Sequence, residues 1–239
     1  MQNWTQQVKD NFGGAANDYE AAADVQAIAA QNLTEMMPDD ANDILEVGCG
    51  TGLFTQYLVK RYPEARLTIT DISPQMIKAA QRKIDHADIE WRVMDGEQPD
   101  IEDRQYDVIV ANMVFQWFVD REAALSKLEK LLKPGGVILY TQPGVKSFVE
   151  WRAMLGSLDL MDGLLEFKNP PNMIKQEFYE IEYGSALNFL KYMKEIGAHK
   201  SRPDYHGIGV ALRMACRLYD REYNGRLRWH IVYGQHKAG

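Results

Sequence analysis

The chain has 239 residues, 46% hydrophobic and 26% charged, with a net charge of −7. That length suits one α/β domain with a sizeable core and is short for two, and the acidic total argues against nonspecific nucleic-acid binding. No stretch approaches the roughly 20 apolar residues of a membrane helix, the polar N-terminus has no signal-peptide core, and Cys49 and Cys216 alone make neither a disulfide framework nor a zinc cage, so the expectation is a reduced, cytoplasmic enzyme with no metal and no membrane partner.

Residues 1–40 fit no strand–helix alternation. From residue 43 the alternation is clear. Asp43–Val47 reads as a strand ending in a glycine turn, and 53–61 as a helix. Leu67–Thr70 is a second strand; Ser73 as N-cap and Pro74 at the first helical position start a helix to about Ile84. Ile89–Met94 is a third strand, Asp107–Ala111 a fourth, 121–132 a helix stopping before Lys133-Pro134-Gly135-Gly136, and Val137–Thr141 a fifth strand. Such an alternation requires right-handed crossovers and a parallel sheet covered on both faces. It places residues 48–52, 71–76, 95–96 and 112–117 on the rim where ligands bind. Residues 144–176, rich in Met, Trp and Phe and containing Asn169-Pro170-Pro171, again break the pattern. Together with residues 1–40 they read as a lid over the strand ends, the alternative being helical decoration. Glu177–Tyr183 and Leu227–Tyr233 are strands able to pair antiparallel, separated by helices at Ser185–Ile196 and 208–223. Charge is uneven: residues 191–239 carry a net +6 and the first 190 a net −13. That basic segment is either a solvated helix face or an attractor for an acidic partner.

The most informative stretch is Leu45-Glu46-Val47-Gly48-Cys49-Gly50-Thr51-Gly52. Its G-x-G-x-G spacing is neither the G-x-G-x-x-G of a dinucleotide fold nor a triphosphate loop, and glycine lets a ligand press on bare backbone. Glu46 would repel phosphate but could hold a cationic amino group. Asp71, closing the second strand, can accept from both ribose hydroxyls. Ile72 can lie on a purine face, Asp95 can accept from an exocyclic adenine amine, and Asn112 can offer its amide. Ribose, adenine, an ammonium group and no phosphate describe S-adenosylmethionine. The expected cofactor-binding set is Glu46, Gly48, Gly50, Asp71, Ile72, Met76, Asp95, Gly96 and Asn112.

With Leu132-Lys133-Pro134-Gly135-Gly136, these motifs resemble the class I S-adenosylmethionine-dependent methyltransferase family. The resemblance implies a Rossmann-like fold with a seven-stranded, mostly parallel sheet and an antiparallel last strand, here a single domain over 1–239 with lid elements at 1–40 and 144–176. Three further blocks narrow it: Phe12 to Tyr19 with Ala23 and Gln26; Ala111-Asn112-Met113-Val114-Phe115-Gln116-Trp117; and Phe189 to Ala198, Arg213 to Tyr223 and Trp229-His230. Together they resemble the malonyl-acyl-carrier-protein O-methyltransferases of biotin synthesis, although trans-aconitate methyltransferases are similar around Asn112–Trp117, and Trp229 stands where the family often has Tyr.

That resemblance implies methylation of the free carboxylate of a malonyl thioester on acyl carrier protein. A carboxylate is already ionised at neutral pH, so no general base is needed and the remaining task is alignment. Tyr19 is the first candidate to hold the substrate carboxylate, against a core tyrosine. Gln116 could orient an oxygen, and Trp117 could shield the sulfonium or simply pack. Arg152 could pair with the malonyl carboxylate or lie on the surface, and His230 could donate to the thioester or serve structure. Lys191, Lys194, Lys200, Arg202, Arg213, Arg217 and Arg221 are candidates for docking the acidic carrier. The alternatives are a methyltransferase for a small free acid such as trans-aconitate, and a non-catalytic binding module. Nucleic-acid methylation is disfavoured by the charge and by the missing Asn/Asp-Pro-Pro-Tyr/Phe signature after the fourth strand.

Overall fold

The computed structural model describes residues 24–85, 88–101, 104–160, 164–195 and 209–238. Apolar runs with β-branched residues form β1 (Asp43–Val47), β2 (Arg66–Asp71), β3 (Ile89–Val93) and β4 (Tyr106–Asn112). Between and before them lie α1 (Asp24–Glu35), α2 (Leu53–Arg61) and α3 (Pro74–Lys83). Ser73 caps α3 by accepting from the Met76 N–H, with Pro74 at its first turn. A 3₁₀ turn (Phe115–Trp117) and α4 (Arg121–Glu129) lead to β5 (Leu132–Pro143), α5 (Val149–Ser157), β6 (Met173–Glu182), α6 (Ala186–Glu195), α7 (Gly209–Tyr223) and β7 (Arg226–Lys237).

The strands form one seven-stranded sheet in the order β3-β2-β1-β4-β5-β7-β6. β1, β2, β3, β4 and β5 pair in parallel, while β7 runs antiparallel to both β5 and β6. This is the expected Rossmann-like arrangement, and strand order reverses between β1 and β4, where a crevice must open. Side chains alternate across the sheet. Ile44, Val108, Val110 and Leu139 pack with Ala29 and Leu33 of α1 on one face. Leu45, Val47, Ile109 and Ile138 pack with Leu128 of α4 on the other. At the end of the sheet away from the crevice, the Lys133 ammonium bridges Asp43 (2.7 Å) and Asp107 (2.9 Å), and Asp107 also accepts the Asn42 and Asp43 N–H groups. These bonds tie the starts of β1, β4 and β5 together. Among the described residues no helix is long and apolar enough to cross a membrane.

Three boundaries depart from expectation. The helix expected over 121–132 ends at Glu129, and Lys133–Gly136 form a bulge at the start of β5, not a turn before it. Gly135 takes φ +80°, and a Cβ on Gly136 would sit 3.0 Å from the Lys133 and Tyr106 carbonyl oxygens. β6 starts at Met173, inside the segment assigned to a lid; its inward positions include Lys175 and Glu177, polar residues that masked the alternation. Residues 24–35 form a helix packed into the main core through Val25, Ala29, Ala30 and Leu33, so in the described part of 1–40 only the first turn of α1 reaches the strand ends.

Beyond β5, the chain builds an aromatic cap. Phe148 meets Trp229 edge-on at 4.6 Å and Phe189 at 4.9 Å, and Trp151 meets Tyr219 edge-on at 5.3 Å. The α6–α7 pair closes this cluster, its geometry fixed by Asp220 of α7 accepting the Ala186 N–H at the start of α6 (2.6 Å).

Candidate active site

The crevice lies at the C-terminal ends of β1, β2, β3 and β4 and encloses about 910 Å³, counting its open mouth. Glu46, Gly48, Gly50, Asp71, Ile72, Asp95, Gly96 and Asn112 all line it, as does Trp117.

The glycine turn is shaped by backbone bonds. The Gly48 and Cys49 N–H groups both donate to the Thr70 carbonyl, at 2.8 and 2.9 Å. Gly48 has φ +73°, and a Cβ there would meet Val114 Cγ2 at 2.5 Å. Gly50 has φ +55° and no atom within 4 Å of where its Cβ would stand, so its Cα faces the open crevice. Bare backbone against open space is what a closely held nucleoside needs.

The acids form the electrostatic floor. Asp71 accepts the Gly50 N–H on Oδ2 (2.9 Å) and the Ser73 N–H on Oδ1 (2.8 Å). Burial nevertheless pushes its carboxyl up to about 6. Glu46, in the wholly buried β1, accepts the Thr55 hydroxyl at 2.7 Å. Burial drives it up to about 8; the Thr55 bond opposes this and the nearby Asp71 charge adds to it. Two carboxyls that resist ionisation side by side favour a cationic ligand, whose charge would replace lost water. Asp95 accepts the Glu97 N–H on Oδ1 (2.9 Å) at the opposite lip.

Other expected residues are placed differently. Met76, in the first turn of α3, is fully buried on the helix's inner side with Ile77 and Ala80 and is not among the residues that line the crevice. Gln116 is buried and its amide donates to the Met113 carbonyl (2.6 Å), so its nitrogen is committed to the protein's own backbone. The Arg152 guanidinium donates to the Leu165 carbonyl (2.8 Å) and lies over the Phe167 ring, inside the cap. His230 is fully buried, stacked on Phe178 with centroids 4.7 Å apart. Its Nδ1 accepts the Lys146 N–H (3.2 Å) and its Nε2 meets Gln176 Oε1 (2.9 Å). Burial lowers its pKa, so it stands as a neutral structural imidazole. Lys191 and Lys194 are exposed on α6, and Arg213, Arg217 and Arg221 are exposed on α7. Tyr19, Lys200 and Arg202 lie outside the described residues.

In the sequence Gln26 reads only as part of a family block and Thr141 only as a strand end, yet both bear on the site. Gln26, at the start of α1, lines the crevice and accepts the Asn112 amide on its carbonyl (3.1 Å). Thr141, at the end of β5, donates to Asn112 Oδ1 at 2.6 Å. A threonine closing an otherwise apolar strand run was the available signal.

A strand order of 3-2-1-4-5-7-6, a glycine turn after β1 and acids at the ends of β2 and β3 define a Rossmann-like class I methyltransferase. A methyltransferase domain model matches residues 45–138, and the N-methyltransferase NodS of Bradyrhizobium japonicum, solved with S-adenosyl-L-homocysteine, shares the fold at a TM-score of 0.50 and 18% identity over 96% of this chain and 98% of its own. More specific is a malonyl-[acyl-carrier protein] O-methyltransferase of Priestia megaterium, 36% identical over 95% of both chains. The bifunctional biotin-biosynthesis protein BioCD of Bordetella avium is 33% identical over 95% of this chain, which spans about half (51%) of that longer protein. The chain belongs to the malonyl-[acyl-carrier protein] O-methyltransferase family.

Proposed function

We propose that this enzyme transfers a methyl group from S-adenosylmethionine to the free carboxylate of a malonyl thioester carried on acyl carrier protein, a step of biotin synthesis. The observation that carries this reading is the 36% identity with the Priestia megaterium enzyme over 95% of both chains, cap included; the N-methyltransferase NodS covers as much of the chain but at only 18% identity. The crevice fits the cofactor: bare backbone at Gly48 and Gly50, and two buried carboxyls suited to a cation.

S-adenosylmethionine supplies an electrophilic methyl on a sulfonium. Asp71 would take the ribose hydroxyls, Ile72 the purine face, Asp95 the adenine amine, and Glu46 the cationic end of the ligand. Gly96 keeps the Asp95 lip thin, since a Cβ there would meet Val47 Cγ1 at 2.6 Å and Phe118 Cζ at 2.8 Å. The acceptor carboxylate needs no base. One C–O bond forms as the methyl–sulfur bond breaks, the electron pair stays on sulfur, and no proton moves. The protein's work is to align the two in line and exclude water. Trp117 walls the crevice, and Tyr19 is the proposed donor to the acceptor carboxylate. Gln116, Arg152 and His230 act through the backbone and the cap. Carrier docking falls to the basic faces of α6 and α7, with Lys200 and Arg202 completing the set.

Incubating the enzyme with S-adenosylmethionine and equal amounts of malonyl-carrier protein, malonyl-CoA and trans-aconitate tests the reading. The expected result is a one-methyl mass gain on malonyl-carrier protein, with trans-aconitate unchanged. Preferential methylation of trans-aconitate would replace it with the free-acid reading, and failure to bind S-adenosylmethionine in a calorimetric titration would favour a binding module.

A further inference from the structure

Thr141 is fully buried at the end of β5, where it touches both sides of the rim. Its hydroxyl donates to Asn112 Oδ1 at 2.6 Å and accepts the Met113 N–H at 3.0 Å. On one side the relay continues through the Asn112 amide to the Gln26 carbonyl of α1. On the other it continues through Met113, whose carbonyl accepts the Gln116 amide at 2.6 Å. A single hydroxyl thus links the first turn of α1 to the 3₁₀ turn that carries Trp117.

The link falls where the backbone is strained. Met113 has φ +59°, a left-handed conformation that a non-glycine residue adopts only when its surroundings enforce it. Its N–H also donates to the Thr141 carbonyl at 3.1 Å, so both polar groups of Thr141 that can accept hold this one residue. Met113, Asn112 and Trp117 all line the crevice. A relaxed Met113 would take with it the carbonyl that anchors Gln116 and so disturb the 3₁₀ turn that carries Trp117.

We propose that Thr141 is a positioning residue for methyl transfer: its hydroxyl holds Met113 in the left-handed turn and so sets the wall against which the acceptor is aligned. The inference rests on the methyl-transfer reading but not on which carboxylate is the acceptor.

The test compares Thr141→Val, which keeps the shape and removes the hydroxyl, with Thr141→Ser, which keeps the hydroxyl. Because misalignment acts on the reacting geometry, Thr141→Val should lower kcat on malonyl-carrier protein at least about tenfold. The Kd for S-adenosylmethionine, by calorimetry, should stay within about threefold, because the glycine turn and Asp71 make no bond to Thr141 and Asn112, which does, keeps its amide on the Gln26 carbonyl. Thr141→Ser should recover kcat to within about threefold of wild type. A merely structural threonine would lower the melting temperature and leave kcat per folded enzyme unchanged. Wild-type kcat in Thr141→Val, or an equal loss in Thr141→Ser, overturns the proposal. Should Thr141→Val not fold, Gln116→Met cuts the same relay one link further on, and normal kcat there is equally fatal. If the wild type ignores malonyl-carrier protein, the acceptor reading fails instead, and the same pair of variants is compared on whichever carboxylate it methylates.

Discussion

The crevice and the aromatic cap solve different problems with different materials. The crevice is made of backbone: glycines with positive φ, N–H groups turned onto Thr70, and carboxyls placed by strand ends. Nearly all of it comes from residues 46–117, close in sequence. The cap is made of large side chains brought together from residues 148, 151, 189, 219 and 229. Damage should therefore separate cleanly. A cap lesion costs stability and spares cofactor affinity, whereas a crevice lesion does the reverse.

The largest effect is expected from the cap. Trp151 is fully buried against Tyr219 and Phe189. Trp151→Ala should cost about 3–5 kcal/mol of unfolding free energy, the usual range for a large aromatic deleted from a core. Urea denaturation reads it, and the Kd for S-adenosylmethionine should remain within about threefold. A large loss of cofactor affinity would show that cap and crevice are not separable.

Gly48→Ala tests the other half. The new Cβ would meet Val114 at 2.5 Å while the residue is held at φ +73°. Left-handed strain in a non-glycine residue alone is worth about 1–3 kcal/mol, and the least costly escape is to reshape the turn on which the cofactor rests. An affinity loss of about 100-fold for S-adenosylmethionine corresponds to about 2.7 kcal/mol and is the expected calorimetric result, with the cap intact by near-ultraviolet circular dichroism.

The same division explains what could be read from the chain alone. The crevice was legible because its signals are local: Gly48 to Gly52 after an apolar run, Asp71 and Asp95 at strand ends, Ser73-Pro74 at a helix start. Eight of the nine expected cofactor residues line it; the ninth, Met76, is buried in the first turn of α3, where position in a helix says little about which way a side chain turns. The cap was not legible. In sequence Arg152 is open between a carboxylate partner and a surface arginine; it is instead half-buried in the cap, donating to the Leu165 carbonyl and lying over Phe167, contacts set by a loop whose path no local pattern dictates. His230 follows the structural of its two readings, although its partners Lys146 and Gln176, 84 and 54 residues away, were not legible. Thr141 escaped notice because its importance comes from Met113, whose left-handed turn leaves no mark in the residue type.

Acid should push the two regions in opposite directions. Glu46 and Asp71 have folded pKa values raised to about 8 and about 6. In the ligand-free enzyme the folded state therefore holds extra protons, and stability falls as pH rises from the ordinary carboxyl range to about 8. Glu177, near the junction of β6, β7 and α1, is the reverse. Against the desolvation that would raise it, hydroxyls of Tyr233 (2.6 Å) and Tyr179 (2.7 Å), Lys175 and the Asn32 amide hold it down to about 2. Its contribution is present above the ordinary carboxyl range and is lost as pH falls toward 2. Glu177→Gln should thus abolish part of the acid-induced fall in melting temperature, while Glu46→Gln should flatten the loss between pH 5 and 8. A cationic ligand must restore the ionised crevice acids, so the affinity for S-adenosylmethionine should climb by up to about tenfold per pH unit between pH 6 and 8. Calorimetry in buffers of different ionisation enthalpy should register proton release.

The smallest effect concerns the outer surface of the cap. On α7, Ala215, Cys216 and Tyr219 face inward, while Val210 (85% exposed), Met214 (58%), Arg213, Arg217 and Arg221 face outward. An outward helix face that pairs apolar with cationic side chains suits a partner that is acidic overall and has some apolar surface. Exposed charges steer association more than they hold a complex, so each contributes little and salt screens it. Reversing Arg213, Arg217 and Arg221 together to Glu should raise the KM for malonyl-carrier protein about tenfold. Malonyl-CoA presents the same reacting carboxylate without the protein surface, so its KM should stay within about twofold. The gap between the two substrates should narrow as salt rises. Equal loss on both would move the effect from the surface of the cap to its interior, because charges that never touch the carrier could then matter only by disturbing the aromatic packing beneath them.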